Sequence, residues 1–262
     1  MHELPGVGEN LQDHLGCRII YKARNANTLN EISRSWVWQA RTGLEYIFGR
    51  RGALMMGTAP IGLFAKTREG LASPDVQYQF LAGSFDKPGE PMHPFPGCSL
   101  VAIPCRPESR GWLRIKSPDP QVPPAMQPNY LATRGDRDTM IAALKISRRI
   151  FQTPTMQRYV VEEFWPGAQV DSDEGLLEHA KKTGSTTFHQ TSTCMMGAHE
   201  TAVVDTELRV HGIEGLRVID ASVMPTVISG NTNAATIMIA EKASDLILAA
   251  RHAGAAAPAR AA

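Results

Sequence analysis

The last long apolar stretch constrains this sequence more than any other part of it. Between residues 234 and 248, Ile237, Ile239, Ala240, Ala243, Leu246 and Ile247 recur at helical spacing around most of a circumference. Met238, Glu241, Lys242 and Asp245 leave only a narrow polar stripe. A helix of this kind is expected to be buried on most sides. Its start is marked as well: Asn231-Thr-Asn233 supplies capping side chains, and Pro225 breaks the chain before it. Leu216-Arg-Val-Ile-Asp220 reads as a short strand running into an acidic residue. The start of a buried helix presents unpaired N–H groups and partial positive charge, so an electron-rich group is expected in front of it.

Upstream, Val76-Gln-Tyr-Gln-Phe80 alternates apolar and polar residues, the pattern of a half-buried strand with one wet face in an antiparallel sheet. Residues 18–21, 99–103 and 112–116 read as further strands, and the five prolines of 118–128 suit an extended crossing. Helical spacing predicts helices over 35–48 (Trp36, Ala40, Leu44, Ile47, Phe48), ended by Gly49, and over 136–151 (Met140, Leu144, Ser147, Phe151). A shorter helix over 172–182 opens on Asp171-x-x-Glu174, which resembles a capping box. The small apolar run 52–57 reads either as a core-facing turn or as a wall of a ligand pocket. Residues 83–97 read as a long surface loop, a candidate lid, with His93 solvated and given no role. The Ala-rich tail from Ala249 is expected to fray.

With 27 basic against 26 acidic residues and a net charge of +1, the sequence carries no electrostatic footprint for nucleic acid or an anionic membrane. A small-molecule partner fits better. No apolar run approaches the roughly 18–20 residues that span a bilayer, and the first residues are not a secretion signal. Cys17, Cys98, Cys105 and Cys194 lack CxxC spacing and read as reduced thiols of a cytoplasmic chain.

Chemistry concentrates in Thr187-Phe-His-Gln-Thr-Ser-Thr-Cys-Met-Met-Gly197, where His189 sits among hydroxyl residues and is bracketed by Phe188 and Met195-Met196. A partly dry pocket with hydrogen-bond partners tunes an imidazole toward base catalysis near neutral pH. A metal site of His189, Cys194 and His199 has neither helical nor finger spacing, and no G-x-S-x-G elbow for a serine hydrolase occurs. A satisfied core histidine stays the bland alternative.

Several motifs together resemble one family. Leu4-Pro-Gly-Val-Gly-Glu-Asn-Leu-Gln-Asp-His14, Gly111-Trp-Leu-Arg-Ile-Lys-Ser-Pro-Asp119, Phe188-His189 through Cys194-Met-Met-Gly197, Val204-Asp205 with Val210-His-Gly212, and 216–225 through Gly230-Asn-Thr-Asn-Ala-Ala-Thr-Ile-Met-Ile-Ala-Glu-Lys242 are similar to the C-terminal half of the glucose-methanol-choline (GMC) flavoprotein oxidoreductases, in the choline dehydrogenase and alcohol dehydrogenase branch. The resemblance implies FAD as cofactor and oxidation of a primary alcohol to an aldehyde by hydride transfer to the flavin. It implies His189 as the base with Asn231 completing the pair, and Asp220, Ala221, Asn231, Thr232 and Asn233 against the flavin. The electron acceptor is left open among a quinone, a carrier protein and oxygen, and membrane association would come through that acceptor. The family's N-terminal G-x-G-x-x-G unit has no counterpart here, so the chain is expected to be a C-terminal fragment, inactive alone. A flavin-free binding or interaction module is the alternative.

The expected fold is α+β: an antiparallel-sheet substrate domain with flanking helices, followed by a strand and helix that belong to an α/β FAD-binding domain whose N-terminal part is missing. The expected division is 1–13 as a linker loop, 14–185 as the substrate domain, 186–250 as the return to the FAD domain, and 251–262 as a disordered tail.

Overall fold

The computed structural model describes residues 2–57 and 59–256. In chain order its elements are β1 (Leu15–Ala23), α1 (Leu29–Arg34), α2 (Trp36–Gly49), β2 (Ile61–Ala65), β3 (Val76–Leu81), β4 (Gly97–Pro104), β5 (Trp112–Arg114), β6 (Ala125–Gln127), α3 (Arg134–Phe151), β7 (Val160–Trp165), α4 (Asp173–Thr183), β8 (Ser185–Thr186) and α5 (Asn233–Ala256). The chain separates into two compact units. One holds Leu15–Cys105 and Leu131–Thr187; the other holds the chain up to His14, Arg106–Tyr130 and the chain from Phe188 onward. Residues 106–130 thus cluster with the second unit, whereas the expected 14–185 division runs straight through them.

The first unit is an antiparallel sheet in the order β2-β3-β4-β1-β7, with β8 pairing the start of β1. Its register sets Ile19 against Leu100 and Tyr78 against Ala102. The expected wet face of β3 is covered instead: Gln77 is only 7% exposed. The other, Tyr78 face of the sheet packs on α3, which Thr133 caps by accepting from Asp136 N–H, with Arg148 and Arg149 in its last turn. Its apolar stripe of Met140, Ala143, Leu144 and Phe151 is fully buried. Each large side chain in that stripe stabilises the unit by about 1.5–3 kcal/mol. Phe151 stacks on Tyr21 with ring centroids 4.2 Å apart, and the Tyr78 hydroxyl donates to the Ala143 carbonyl at 3.0 Å.

Beside this core lies a buried ion pair. Arg148 of α3 meets Glu163 of β7 through both Nε and Nη2, and Glu163 also accepts from the Tyr21 hydroxyl at 3.0 Å. Burial and the neighbouring carboxylate push the Tyr21 hydroxyl upward from its usual range. α4 is capped by Ser172, whose hydroxyl accepts from Gly175 N–H, in place of the Asp171 start read from the sequence. Its His179 hydrogen-bonds the Arg18 carbonyl at 2.8 Å and meets Trp165 edge-on.

Several further expectations change. The 83–97 loop is pinned down: Asn30 of α1 donates to the Ser84 and His93 carbonyls at 3.0 Å, and His93 stacks on Phe95. His93 is therefore packed and not solvated. Its ring links Ser84 and Asp86 at 3.0 Å on either side, but the Ser84 hydroxyl is fully buried, which closes that Ser-His-Asp sequence to any substrate. α2 forms where expected, yet Trp36, Leu44, Ile47 and Phe48 (82%) are exposed and only Thr42 is buried. It ends on a left-handed Arg50, one residue past Gly49. The 52–57 run is a surface turn with Leu54, Met55 and Met56 exposed. Within the proline-rich crossing, β6 pairs with β5, which is shorter than expected.

In the second unit Val203, Val204, Leu208, Val210, Val223 and Met224 pack with Ile239 and Ala243 of α5. Two corrections fall here. Residues 216–220 form no strand: they pair through a single bridge, Arg209 with Arg217, because a strand needs a continuous partner edge and the 208–210 segment supplies only one rung. α5 is not buried on most sides; Ile239 and Ala243 face the core while Ile237, Met238 (59%), Ile247 and Leu248 are exposed. It also continues past Leu248 to Ala256, through residues expected to fray. The remainder of the expected tail, 257–262, lies outside the described residues.

Because Glu163 and Arg148 are both nearly enclosed, removing one leaves the other as an unpaired buried charge. Glu163→Ala is expected to lower unfolding stability by about 3–5 kcal/mol in urea titrations. A loss of the size of a surface pair, about 0.5 kcal/mol, would show that the pair is solvated in solution.

Candidate active site

The second unit is stitched together by its N-terminal segment. Leu11 exchanges backbone hydrogen bonds with Gly111 at 2.9 and 3.0 Å, and Gln12 does the same with Thr191 at 2.9 and 3.2 Å. Gly8 N–H donates to the Thr193 carbonyl and Leu113 N–H to the Gly8 carbonyl. The Gln12 side chain reaches further, taking a bond from Val227 N–H through Oε1 and giving one to the Pro225 carbonyl through Nε2. Asn10 Nδ2 donates to Met195 Sδ and to the same Pro225 carbonyl. One extended segment therefore fixes both the His189 motif and the turn that leads to α5.

That segment ends in Asp13-His14, and both side chains are buried. His14 Nδ1 lies 2.9 Å from His189 Nδ1, the rings meeting edge to face with centroids 5.1 Å apart. One of the two nitrogens must carry the proton and the other must accept it. Asp13 accepts from the backbone N–H of His14 and of His189, both at 2.9 Å, and from the Tyr130 hydroxyl and Gln190 Nε2. Burial depresses the His189 pKa below the usual histidine value, and the Asp13 charge partly opposes that shift. Three non-glycine residues around the pair adopt left-handed backbone, Asn10 (φ 59°), Phe188 (φ 61°) and Ser192 (φ 76°). Strain of this kind, about 1–3 kcal/mol per residue, persists where surrounding bonds over-determine the chain, as they do here.

The two motifs singled out in the sequence are brought together along their backbones. Ser192, Cys194 and Met196 N–H groups donate to the carbonyls of Ala221, Ser222 and Val223 at 3.4, 2.9 and 2.9 Å. Asp220 caps the short 3-10 turn at Ala221–Val223, its carboxylate accepting from Ser222 N–H at 2.7 Å. Thr232 is buried, and its carbonyl takes the Thr236 N–H at 2.9 Å. Asn231 and Asn233 are exposed on either side of it, at the N-terminus of α5. Sequence reasoning missed Asp13, His14 and Tyr130 as site residues. Asp13-His14 was in view only within a longer motif, and no spacing rule links it to a histidine 175 residues away.

Comparison with known proteins identifies the family of the chain. A family model described as GMC oxidoreductase covers residues 107–240. The oxygen-dependent choline dehydrogenase of Escherichia coli O45:K1 is 42% identical over 247 residues, 94% of this chain and 44% of that protein. The chain thus spans about half the length of the curated relatives it matches. Among solved structures, pyridoxine 4-oxidase from Mesorbium loti superposes with a TM-score of 0.73 at 25% identity over 94% of this chain and 44% of that one. Formate oxidase of Aspergillus oryzae, in a structure concerned with FAD modification, shares the fold at a TM-score of 0.83 and 23% identity over 94% of this chain and 48% of its own. With the family model covering more than half of its length, the chain belongs to the GMC oxidoreductase family.

Proposed function

We propose that this chain supplies the base and the flavin-edge residues for oxidation of a primary alcohol, choline-like or other, to its aldehyde. The observation that carries the reading is the His14–His189 pair, an imidazole held by a second imidazole and kept neutral by burial. With its proton on Nδ1 and donated to His14 Nδ1, His189 keeps the Nε2 lone pair for the hydroxyl proton of the alcohol. Asn231 holds the alcohol oxygen. FAD, when bound, supplies the hydride acceptor. Asp220, Ala221, Asn231, Thr232 and Asn233 would hold its reactive edge. The N-terminus of α5 suits that group, since the first N–H groups of a helix have no acceptor within it and carry partial positive charge, here beside the exposed Asn231 and Asn233.

The reading includes a partner for this chain, an FAD-binding N-terminal half of the same gene product. It is supported by the chain's 44% share of the relatives' length and by the apolar face that α5 leaves exposed. Oxygen is the acceptor favoured by the name of the relatives. No helix among the described residues is long and apolar enough to cross a membrane.

The 262-residue chain alone should purify colourless, and the full gene product should absorb between about 400 and 500 nm as a flavoprotein does. A full gene product without flavin would favour a flavin-free binding module instead. In stopped-flow reduction with saturating alcohol, His189→Ala should slow the flavin step by about 10²- to 10⁴-fold with FAD retained, and Asn231→Ala should slow it less. An unchanged rate in folded, flavin-loaded His189→Ala would remove His189 from the chemistry.

The pH dependence follows from the same shift. A histidine with a depressed folded pKa is neutral above its ordinary value of 6.5, so the reduction rate should be level there and fall as pH drops through the lower, folded value. Folding stability contributed by the neutral ring has the same sign, present above 6.5 and lost as pH falls. Histidine-selective NMR titration reads the midpoint directly, and a midpoint above 6.5 would contradict the assignment.

A further inference from the structure

The carboxylate of Asp13 does more than fill a buried space. It is 3% exposed and receives donors from three separated parts of the chain. Oδ1 takes His14 N–H and His189 N–H at 2.9 Å each; Oδ2 takes the Tyr130 hydroxyl and, at 3.4 Å, Gln190 Nε2. The backbone of each histidine is thus tied to the same oxygen atom, and that shared anchor brings their rings within one hydrogen bond of each other. Tyr130 in turn holds the second oxygen, which limits rotation of the carboxylate. A side chain that offered a donor at Oδ1 would face two backbone N–H groups that can only donate. An acceptor at that position is therefore required, whereas a donor at the second position is tolerable, because a tyrosine hydroxyl can accept as well as donate.

We infer that Asp13, anchored by Tyr130, is a positioning residue that registers His14 against His189 and thereby holds their Nδ1 atoms at the distance where they share one proton. The inference rests on the reading of His189 as the base. It differs from that reading in what it says about the protein without any substrate: the proton-sharing contact of the two rings is aligned in advance by a carboxylate that bonds their backbones. Preorganisation of this kind matters because a misplacement of about 1 Å at a reacting group costs on the order of 10²-fold in rate.

The test compares Asp13→Ala with Asp13→Asn in the full gene product, read by imidazole ¹⁵N NMR and by stopped-flow flavin reduction. Asp13→Ala removes the anchor; it should lose the ¹⁵N signature of the hydrogen bond between the two Nδ1 atoms and the tautomer pair that goes with it, and slow reduction by about 10²-fold, with FAD still bound. Asp13→Asn can place its oxygen on the two N–H groups and its amide on Tyr130, so it should keep the tautomer and recover most of the lost rate. An Asp13→Ala protein with the unmutated tautomer and rate overturns the inference, and so does an Asp13→Asn protein as impaired as Asp13→Ala. Should Asp13→Ala fail to fold, Tyr130→Phe frees the second oxygen alone: a partial loss of the tautomer supports the clamp, and an unchanged spectrum overturns it. His189→Ala run in parallel separates the two ideas. If its rate is unaffected, the base assignment fails, while the NMR comparison still decides whether Asp13 sets the ring.

Discussion

The second unit depends on the passage of residues 6–13 between two other backbones. The space there is so narrow that side chains are excluded at two points. A Cβ on Gly6 would lie 1.9 Å from the Thr201 carbonyl oxygen and one on Gly8 2.2 Å from that of Leu113, while Gly111, the partner of Leu11, is itself pressed against the next backbone, its Cβ 2.1 Å from the Gln127 carbonyl oxygen. Backbone cannot give way as the tip of a flexible side chain can, so these glycines are structural requirements. The bonds made by the segment are what hold the His189 motif, and its last two residues are Asp13 and His14. Scaffold and candidate site are therefore one piece of chain, which explains why so many polar groups around the site are buried and yet paired.

Much of the first unit was legible in the sequence, because its elements obey local rules. The alternation at Val76-Gln-Tyr-Gln-Phe80 and the stripe of Met140, Leu144, Ser147 and Phe151 reflect periods of 2 and 3.6 that the chain displays without help from distant residues. What failed was inference about cover. Gln77 looks like a solvent-facing residue, but polarity along a strand does not reveal that the residue is buried in the folded chain. Residues 216–220 have a strand's composition without a strand's partner, and pairing is not a local property. In the candidate site, His189 stood out as a lone histidine in a hydroxyl-rich motif, but Asp13, His14 and Tyr130 join it only through tertiary contacts. Residue type and spacing carry no trace of these.

Two apolar surfaces go beyond what isolated exposed residues would require. On α5 the residues Ile237, Met238, Ile247 and Leu248 are bare, and on α2 Trp36, Leu44, Ile47 and Phe48 are bare, although both helices carry the apolar content of core elements. The thiols show the opposite tendency. Cys17 and Cys98 are enclosed, and burial pushes both up to about 12, which keeps them protonated and unreactive at neutral pH. The chain thus has well-shielded nucleophiles beside poorly shielded hydrophobic surface.

The struts of the site are long in sequence. The two imidazoles are 175 residues apart, Asp13 and Tyr130 are 117 apart, and Gln12 and Pro225 are 213 apart. Closing loops of that size costs chain entropy before any of the bonds can repay it, whereas β3 and β4 meet across a short connection. The first unit bears the same cost at β1, which pairs Ile20 with Trp165 and Leu15 with Thr186. Both units therefore close only with the late part of the chain in hand, and a ribosome must release His189 before it can meet the residues that hold it.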